Sequence, residues 1–231
     1  MTDAPARYEL EAGIATITMD DGKANVMSLA MLDAVGAALD RAEADEAVVV
    51  LTGRDRLFSA GYDLALFDQP PEVIVRTLRA GGEVVHRMLG FPTPIVVACR
   101  GHAVAQGAFL LLAADVRIGA SGSATFGLNE VMIGLTIPHY GVELARHRLS
   151  APWFDRATVT GPLIGPDEAL AAGFLDRVVE PEEVVAEARA EAERLTAVDL
   201  SAHRGTKQRV RGALLDRIRA LHDEEFPDEI S

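Results

Sequence analysis

Three short runs, residues 47–52, 95–99 and 116–118, are apolar or nearly so without alternation. A strand with one wet face alternates apolar and polar side chains, whereas a strand covered on both faces does not. The runs are too short to be helices, and helix-like segments and glycine-bearing loops separate them. Strand, loop, helix and strand repeat, which predicts an α/β core built on parallel strands.

Ahead of these runs, residues 8–10 and 14–19 alternate about Gly13 as a hairpin does, and residues 20–23 form a turn cluster. Ser28 is placed to cap a helix reaching about residue 44, with Leu29, Leu32, Val35, Leu39 and Ala42 as its stripe. Residues 71–90 read as a second helix broken near Gly81 and Gly82, and residues 107–114 as a short apolar one. Beyond Ser150 the pattern is helical: a helix over 166–172, a short strand at 178–179, and a charged amphipathic helix over 181–195. Two short helices over 202–211 and 212–225 follow. Their Val210, Leu214, Leu215, Ile218 and Leu221 need cover from the core or another subunit.

The 231 residues suffice for one domain with its own core. The formal charge of -13 repels phosphate backbones, so no nucleic-acid partner is expected. An anionic ligand must then be met by local cations or by helix N-termini. The single cysteine, Cys99, cannot form an intrachain disulfide, which suits a reducing compartment. No charged-then-apolar leader pattern is visible, and no apolar run approaches the ~18 residues of a membrane span. A cytoplasmic protein is expected, with no membrane partner. No metal-ligand spacing, Walker-type phosphate loop, dinucleotide fingerprint or Gly-x-Ser-x-Gly elbow is found.

Two loops follow buried strands and carry glycine where a ligand can approach: Phe58-Ser59-Ala60-Gly61-Tyr62-Asp63-Leu64, and the run from Gly101 to Phe109, which enters a helix. In parallel α/β folds ligands sit at the carboxyl ends of strands, and a helix N-terminus there offers unpaired N–H groups. One N–H from each loop would make an oxyanion hole.

These loops, with Asn25-Val26-Met27, residues 98–115, Phe126-Gly127-Leu128-Asn129-Glu130 and Gly134-Leu135-Thr136-Ile137-Pro138, resemble the enoyl-CoA hydratase/isomerase (crotonase) family in order and spacing. Thr160-Gly161, residues 169–174 and Val178-Val179 continue the likeness through nearly the whole chain. The resemblance implies a spiral of ββα turns over residues 1–195 and a helical oligomerisation region over 196–231. It also implies an acyl-CoA substrate, no cofactor beyond the CoA it carries, and a homotrimer or dimer of trimers.

Carried over by position, the resemblance assigns the first oxyanion N–H to Tyr62, just after Ala60 and Gly61. The second falls to Gln106, before Gly107. Lys23 and Ala24 match the region that holds the pantetheine and adenine of CoA. Lys207 would reach a CoA phosphate, and Asp63 and Leu64 belong to the substrate loop. Family hydratases use two glutamates. One aligns with Glu130, but the other aligns with Phe109. A dry phenylalanine should raise the pKa of a neighbouring carboxyl group, which suits a proton shuttle. One shuttle can move a proton between two carbons, so isomerisation of 3-enoyl-CoA to 2-enoyl-CoA is expected over hydration. A hydratase in which His139, Gln106 or a water replaces the missing glutamate stays open. So does a protein that binds acyl-CoA without turning it over.

Overall fold

The computed structural model describes residues 4–227. Strands β1 (Ala6–Glu11) and β2 (Ile14–Met19) form the expected hairpin around Ala12 and Gly13, both at positive φ. Helix α1 (Leu29–Ala44) begins at Ser28, whose Oγ accepts from the Met31 N–H at 3.2 Å. The chain continues through β3 (Val48–Thr52), β4 (Arg56–Ser59), a 3-10 turn (Leu64–Asp68) and α2 (Pro71–Leu89). Next come β5 (Ile95–Cys99), β6 (Gly101–Val104), α3 (Gln106–Ala113), β7 (Val116–Ala120) and β8 (Phe126–Gly127). A second 3-10 turn (Glu130–Ile133), α4 (His139–Arg148), α5 (Ala151–Val159) and α6 (Pro166–Ala172) follow. The described chain closes with β9 (Arg177–Val179), α7 (Val184–Leu195) and α8 (Leu200–Glu225).

The main sheet has the order β1-β2-β3-β5-β7-β9, parallel throughout except for the opening hairpin. A small parallel sheet, β4-β6-β8, runs beside it. A strand in the main sheet, one in the small sheet and then a helix recur three times, which is the ββα spiral. The apolar runs are continuous because both faces of the main sheet are covered. Val49, Leu51, Ile95 and Val97 face the core shared with α1, α2 and α3. Val48, Val50, Val96 and Ala98 face Val184, Ala188 and Ala192 of α7. Each such side chain is worth about 1.5–3 kcal/mol when fully buried.

Three expectations are corrected. The two glycine-bearing segments are not loops throughout, since β4 runs into the first as far as Ser59 and β6 occupies the start of the second. Helix α2 is unbroken at Gly81 and Gly82. Its two glycines serve space: a Cβ at Gly81 would fall 1.8 Å from the Tyr62 hydroxyl, and one at Gly82 would fall 2.3 Å from the His222 ring. The two C-terminal helices are one helix of 26 residues, α8, which packs across α2 and α4 of its own chain. Leu215 and Ile218 are buried there, whereas Val210 remains 65% exposed. Among the described residues no helix is long and apolar enough to cross a membrane.

Candidate active site

The first loop is stitched to the segment after β2. Asn25, fully buried at φ 47, donates through Nδ2 to the carbonyls of Met19 (2.9 Å) and Phe58 (3.1 Å). Ser59 Oγ donates to the Asn25 carbonyl at 2.7 Å and accepts from the Gly61 N–H at 3.1 Å. The Ala60 N–H donates to Ala24 O, and the Met27 N–H to Gly61 O. The Ala60 N–H and the N–H and carbonyl of Gly61, just before Tyr62, are thus pinned, yet the Tyr62 N–H has no acceptor among the described residues.

The second loop turns sharply into α3. Ala105 sits at φ 51, ψ -123, a region that side chains with a Cβ avoid. Its N–H donates to Gly127 O, and its carbonyl accepts from Ala108 and Phe109 as the first turn of α3 closes. Gln106 is the first residue of that helix, so its N–H is left over, again without an acceptor among the described residues. The loops touch. A Cβ built on Gly61 (φ +83) would lie 3.3 Å from the Gln106 nitrogen and 2.9 Å from the Ala105 Cβ. Gly107 lets α3 press on β4, because a Cβ there would meet Ser59 at 2.7 Å. Two unspent N–H groups on adjoining loops can receive an oxygen that gains negative charge.

Opposite them is an apolar cavity of about 300 Å3. Tyr62, Leu64, Phe109, Tyr140 and Phe226 are among the residues that line it. Glu130 reaches it from the start of the second 3-10 turn and is only 6% exposed. Among the described residues its Oε2 has no hydrogen-bond partner, nor does Oδ1 of the adjacent Asn129. Burial pushes the Glu130 pKa up to about 7. A carboxyl group so placed changes protonation state near neutrality, as a proton shuttle must. Phe109 is 1% exposed, in edge contact with Tyr140 at 5.6 Å between ring centres. No carboxylate stands on α3.

Other expected positions lie at the edge of this centre or apart from it. Lys23 is exposed, and its carbonyl accepts from Arg54 at 2.7 Å. Ala24 contributes its carbonyl to the first loop. Asp63 caps the 3-10 turn by accepting from the Ala65 N–H at 3.0 Å, and Leu64, 61% exposed, stands at the cavity edge. His139 opens α4 with an exposed side chain that is not part of the cavity wall. Lys207 is 7% exposed, and its ammonium is spent on Asp115 (2.8 Å) and the Phe91 carbonyl (2.9 Å), inside the protein rather than toward a phosphate.

The structure adds groups that the sequence did not single out. Glu225, near the end of α8, lines the cavity and accepts from the His139 N–H at 2.8 Å. Phe226 lies beside it. The Tyr140 hydroxyl donates to Gln106 Oε1 at 2.6 Å. Glu225 follows Asp223 and Glu224 in the chain, and the path of α8 brings it to the cavity.

Comparison with known proteins places this geometry. The family model described as enoyl-CoA hydratase/isomerase matches residues 9–224. A putative enoyl-CoA hydratase of Thermus thermophilus is 34% identical over 208 residues, covering 87% of this chain and 81% of the relative. The mitochondrial enoyl-CoA delta isomerase 1 of Rattus norvegicus is 30% identical over 215 residues, covering 91% and 74%. Among solved structures, an enoyl-CoA hydratase/isomerase family protein from Pseudomonas syringae superposes with a TM-score of 0.94 at 44% identity, over 98% of both chains.

Proposed function

The chain belongs to the enoyl-CoA hydratase/isomerase family, a family of lyases and isomerases acting on acyl-CoA, and from that premise we propose that it isomerises 3-enoyl-CoA to 2-enoyl-CoA with Glu130 as its one proton shuttle. The observation that carries this reading is a single buried carboxyl group on the same cavity as Tyr62 and Ala105, the residues at the two N–H-bearing loops, with Phe109 on the helix that follows. The thioester oxygen would accept from the Tyr62 and Gln106 N–H groups. Ionised Glu130 would take a proton from C2, the electron pair would spread from C2 to the thioester oxygen and C4, and the same carboxyl would return the proton at C4. The double bond then lies between C2 and C3, with atoms and charge conserved and no cofactor beyond the CoA of the substrate. One such donor is typically worth about 3 kcal/mol in the transition state.

The test is ultraviolet absorbance of the conjugated enoyl thioester, with 3-enoyl-CoA and 2-enoyl-CoA supplied separately. Absorbance should rise with the 3-enoyl substrate. Glu130→Gln should lower kcat about 100- to 10,000-fold. Because Glu130 must be ionised to begin, kcat/KM should fall as pH drops below about 7. A 3-enoyl substrate left unchanged by the wild-type protein would refute the reading.

One observation favours a second reading. Glu225 brings another carboxylate to the cavity, from α8 instead of α3, and two carboxylates can hold a water for addition at C3. Hydration would show as falling absorbance with 2-enoyl-CoA, lost in Glu225→Gln.

The trimer is part of the proposal. Val131, Met132, Val159 and Leu163 are 40–70% exposed, and Gly161, in the turn between Val159 and Leu163, lies against Val131 and Met132. Sedimentation should give three times the mass of one chain, or six times for a dimer of trimers.

A further inference from the structure

The second donor is held in a way its backbone alone does not explain. Ala105 carries a Cβ at φ 51, ψ -123, so the turn that presents the Gln106 N–H is strained and will relax unless neighbours hold it. The neighbours act on the Gln106 side chain, which is fully buried. Its Nε2 donates to the Gly81 carbonyl of α2 at 2.9 Å. Its Oε1 accepts from the Tyr140 hydroxyl of α4 at 2.6 Å. Both ends of the amide are therefore tied to different helices, and its own peptide N–H is left for a ligand. The space is made to measure, since a Cβ at Gly81 would lie 2.9 Å from the amide nitrogen. Tyr140 is itself fixed by edge contacts to Phe109 and His222, each at 5.6 Å between ring centres.

We infer that Tyr140 is a positioning residue for the second oxyanion donor, acting through the side chain of Gln106. The inference rests on the reading of Tyr62 and Gln106 as the pair that receives the thioester oxygen. Tyr140→Phe removes the hydroxyl and keeps the ring contacts, so packing is held constant. Gln106→Met keeps the peptide N–H and the length of the side chain but unties both its ends. Displacement of a group by a fraction of an ångström or more is enough to cost roughly ten- to a hundredfold in rate.

The experiment is a double-mutant cycle on kcat and KM, with thermal unfolding of each variant. The expected result is a kcat about ten- to a hundredfold lower in Tyr140→Phe, with KM within about twofold of wild type. Gln106→Met should show a similar loss, and the double variant little more than the larger single one. Unchanged kcat in Tyr140→Phe, or losses that multiply in the double variant, would overturn the inference. So would a kcat loss that only follows a fall in folded fraction.

Acetoacetyl-CoA separates this inference from the proposed reaction, because its β-keto thioester ionises to an enolate with its own ultraviolet band. A wild-type protein that forms the bound enolate but leaves 3-enoyl-CoA unchanged refutes the isomerase alone. Loss of the enolate band in Tyr140→Phe then supports the positioning role, and retention overturns it. A wild-type protein that neither forms the enolate nor turns over either enoyl-CoA overturns both.

Discussion

The two loops that offer free N–H groups are ordered by different means. In the first, glycine takes the left-handed position at Gly61, and Asn25 and Ser59 tie the backbone to the segment after β2. In the second, alanine takes a conformation better suited to glycine, its N–H bonds Gly127 O, and the one side-chain tie is that of Gln106, gripped by α2 and α4. The first loop shares its anchors with the hairpin and the core. The second has anchors of its own. Damage to the first should therefore lower stability and activity together, whereas damage to the second should lower activity by more than its cost in stability explains.

The largest effect is expected where the loops meet. At Gly61→Ala the new Cβ would lie 2.9 Å from the Ala105 Cβ and 3.0 Å from the Val104 carbonyl, at φ +83. Both donors move, so kcat should fall about 100- to 1,000-fold, as when an oxyanion donor is removed. Steady-state kinetics measure it. A loss under tenfold would mean that the loops give way more easily than their contact implies.

Glu130 belongs to neither loop, and it shows what the site costs the fold. Its pKa lies at about 7 in the folded protein against 4.5 ordinarily. A carboxyl group raised on folding contributes stability that is fully present below about pH 4.5 and is lost as pH rises through 7. The difference between those pKa values corresponds to about 3 kcal/mol. Glu130→Gln should therefore unfold at a higher temperature than wild type at pH 8, and the gap should close at pH 5. Equal melting temperatures at both pH values would show that the ionised carboxylate is better solvated than its burial indicates.

Asn25→Ala probes the first loop alone. Removing the amide leaves the Met19 and Phe58 carbonyls without that donor in a buried site, at about 1–3 kcal/mol for each orphaned group. Urea unfolding should report the loss, and kcat should fall with it. An activity loss at unchanged stability would make the two loops alike and remove the contrast.

This division also marks what could be read in the sequence. The hairpin, the buried strands, the Ser28 cap and α3 follow from periodicity and end signals that depend on near neighbours in the chain. The loop positions of Tyr62, Gln106 and Glu130 follow from a resemblance in order and spacing. The small sheet was hidden because its strands are two to four residues long and lie within loops. Gly81 and Gly82 read as a helix break in the sequence, because no local pattern shows that a tyrosine and a histidine from elsewhere need the room. Tyr140 and Glu225 escaped for the same reason. Each acts through a group on another element, 34 residues away for Tyr140 and 86 for Glu225.

The smallest expected effect is the sharpest test of the second loop. Ala105→Gly relieves a backbone strain of about 1 kcal/mol. Glycine also gives the unfolded chain more freedom, which takes back about 0.4–1 kcal/mol. The terms nearly cancel, so chemical unfolding should change by less than about 1 kcal/mol. If the Gln106 side chain aims the donor, its ties to Gly81 and Tyr140 survive the substitution, and kcat should fall no more than about threefold. If the Ala105 Cβ, seated against Gly61, does the aiming, kcat should fall far more while stability holds. That outcome would assign the order of the second loop to its backbone, as in the first, and leave Tyr140 as packing.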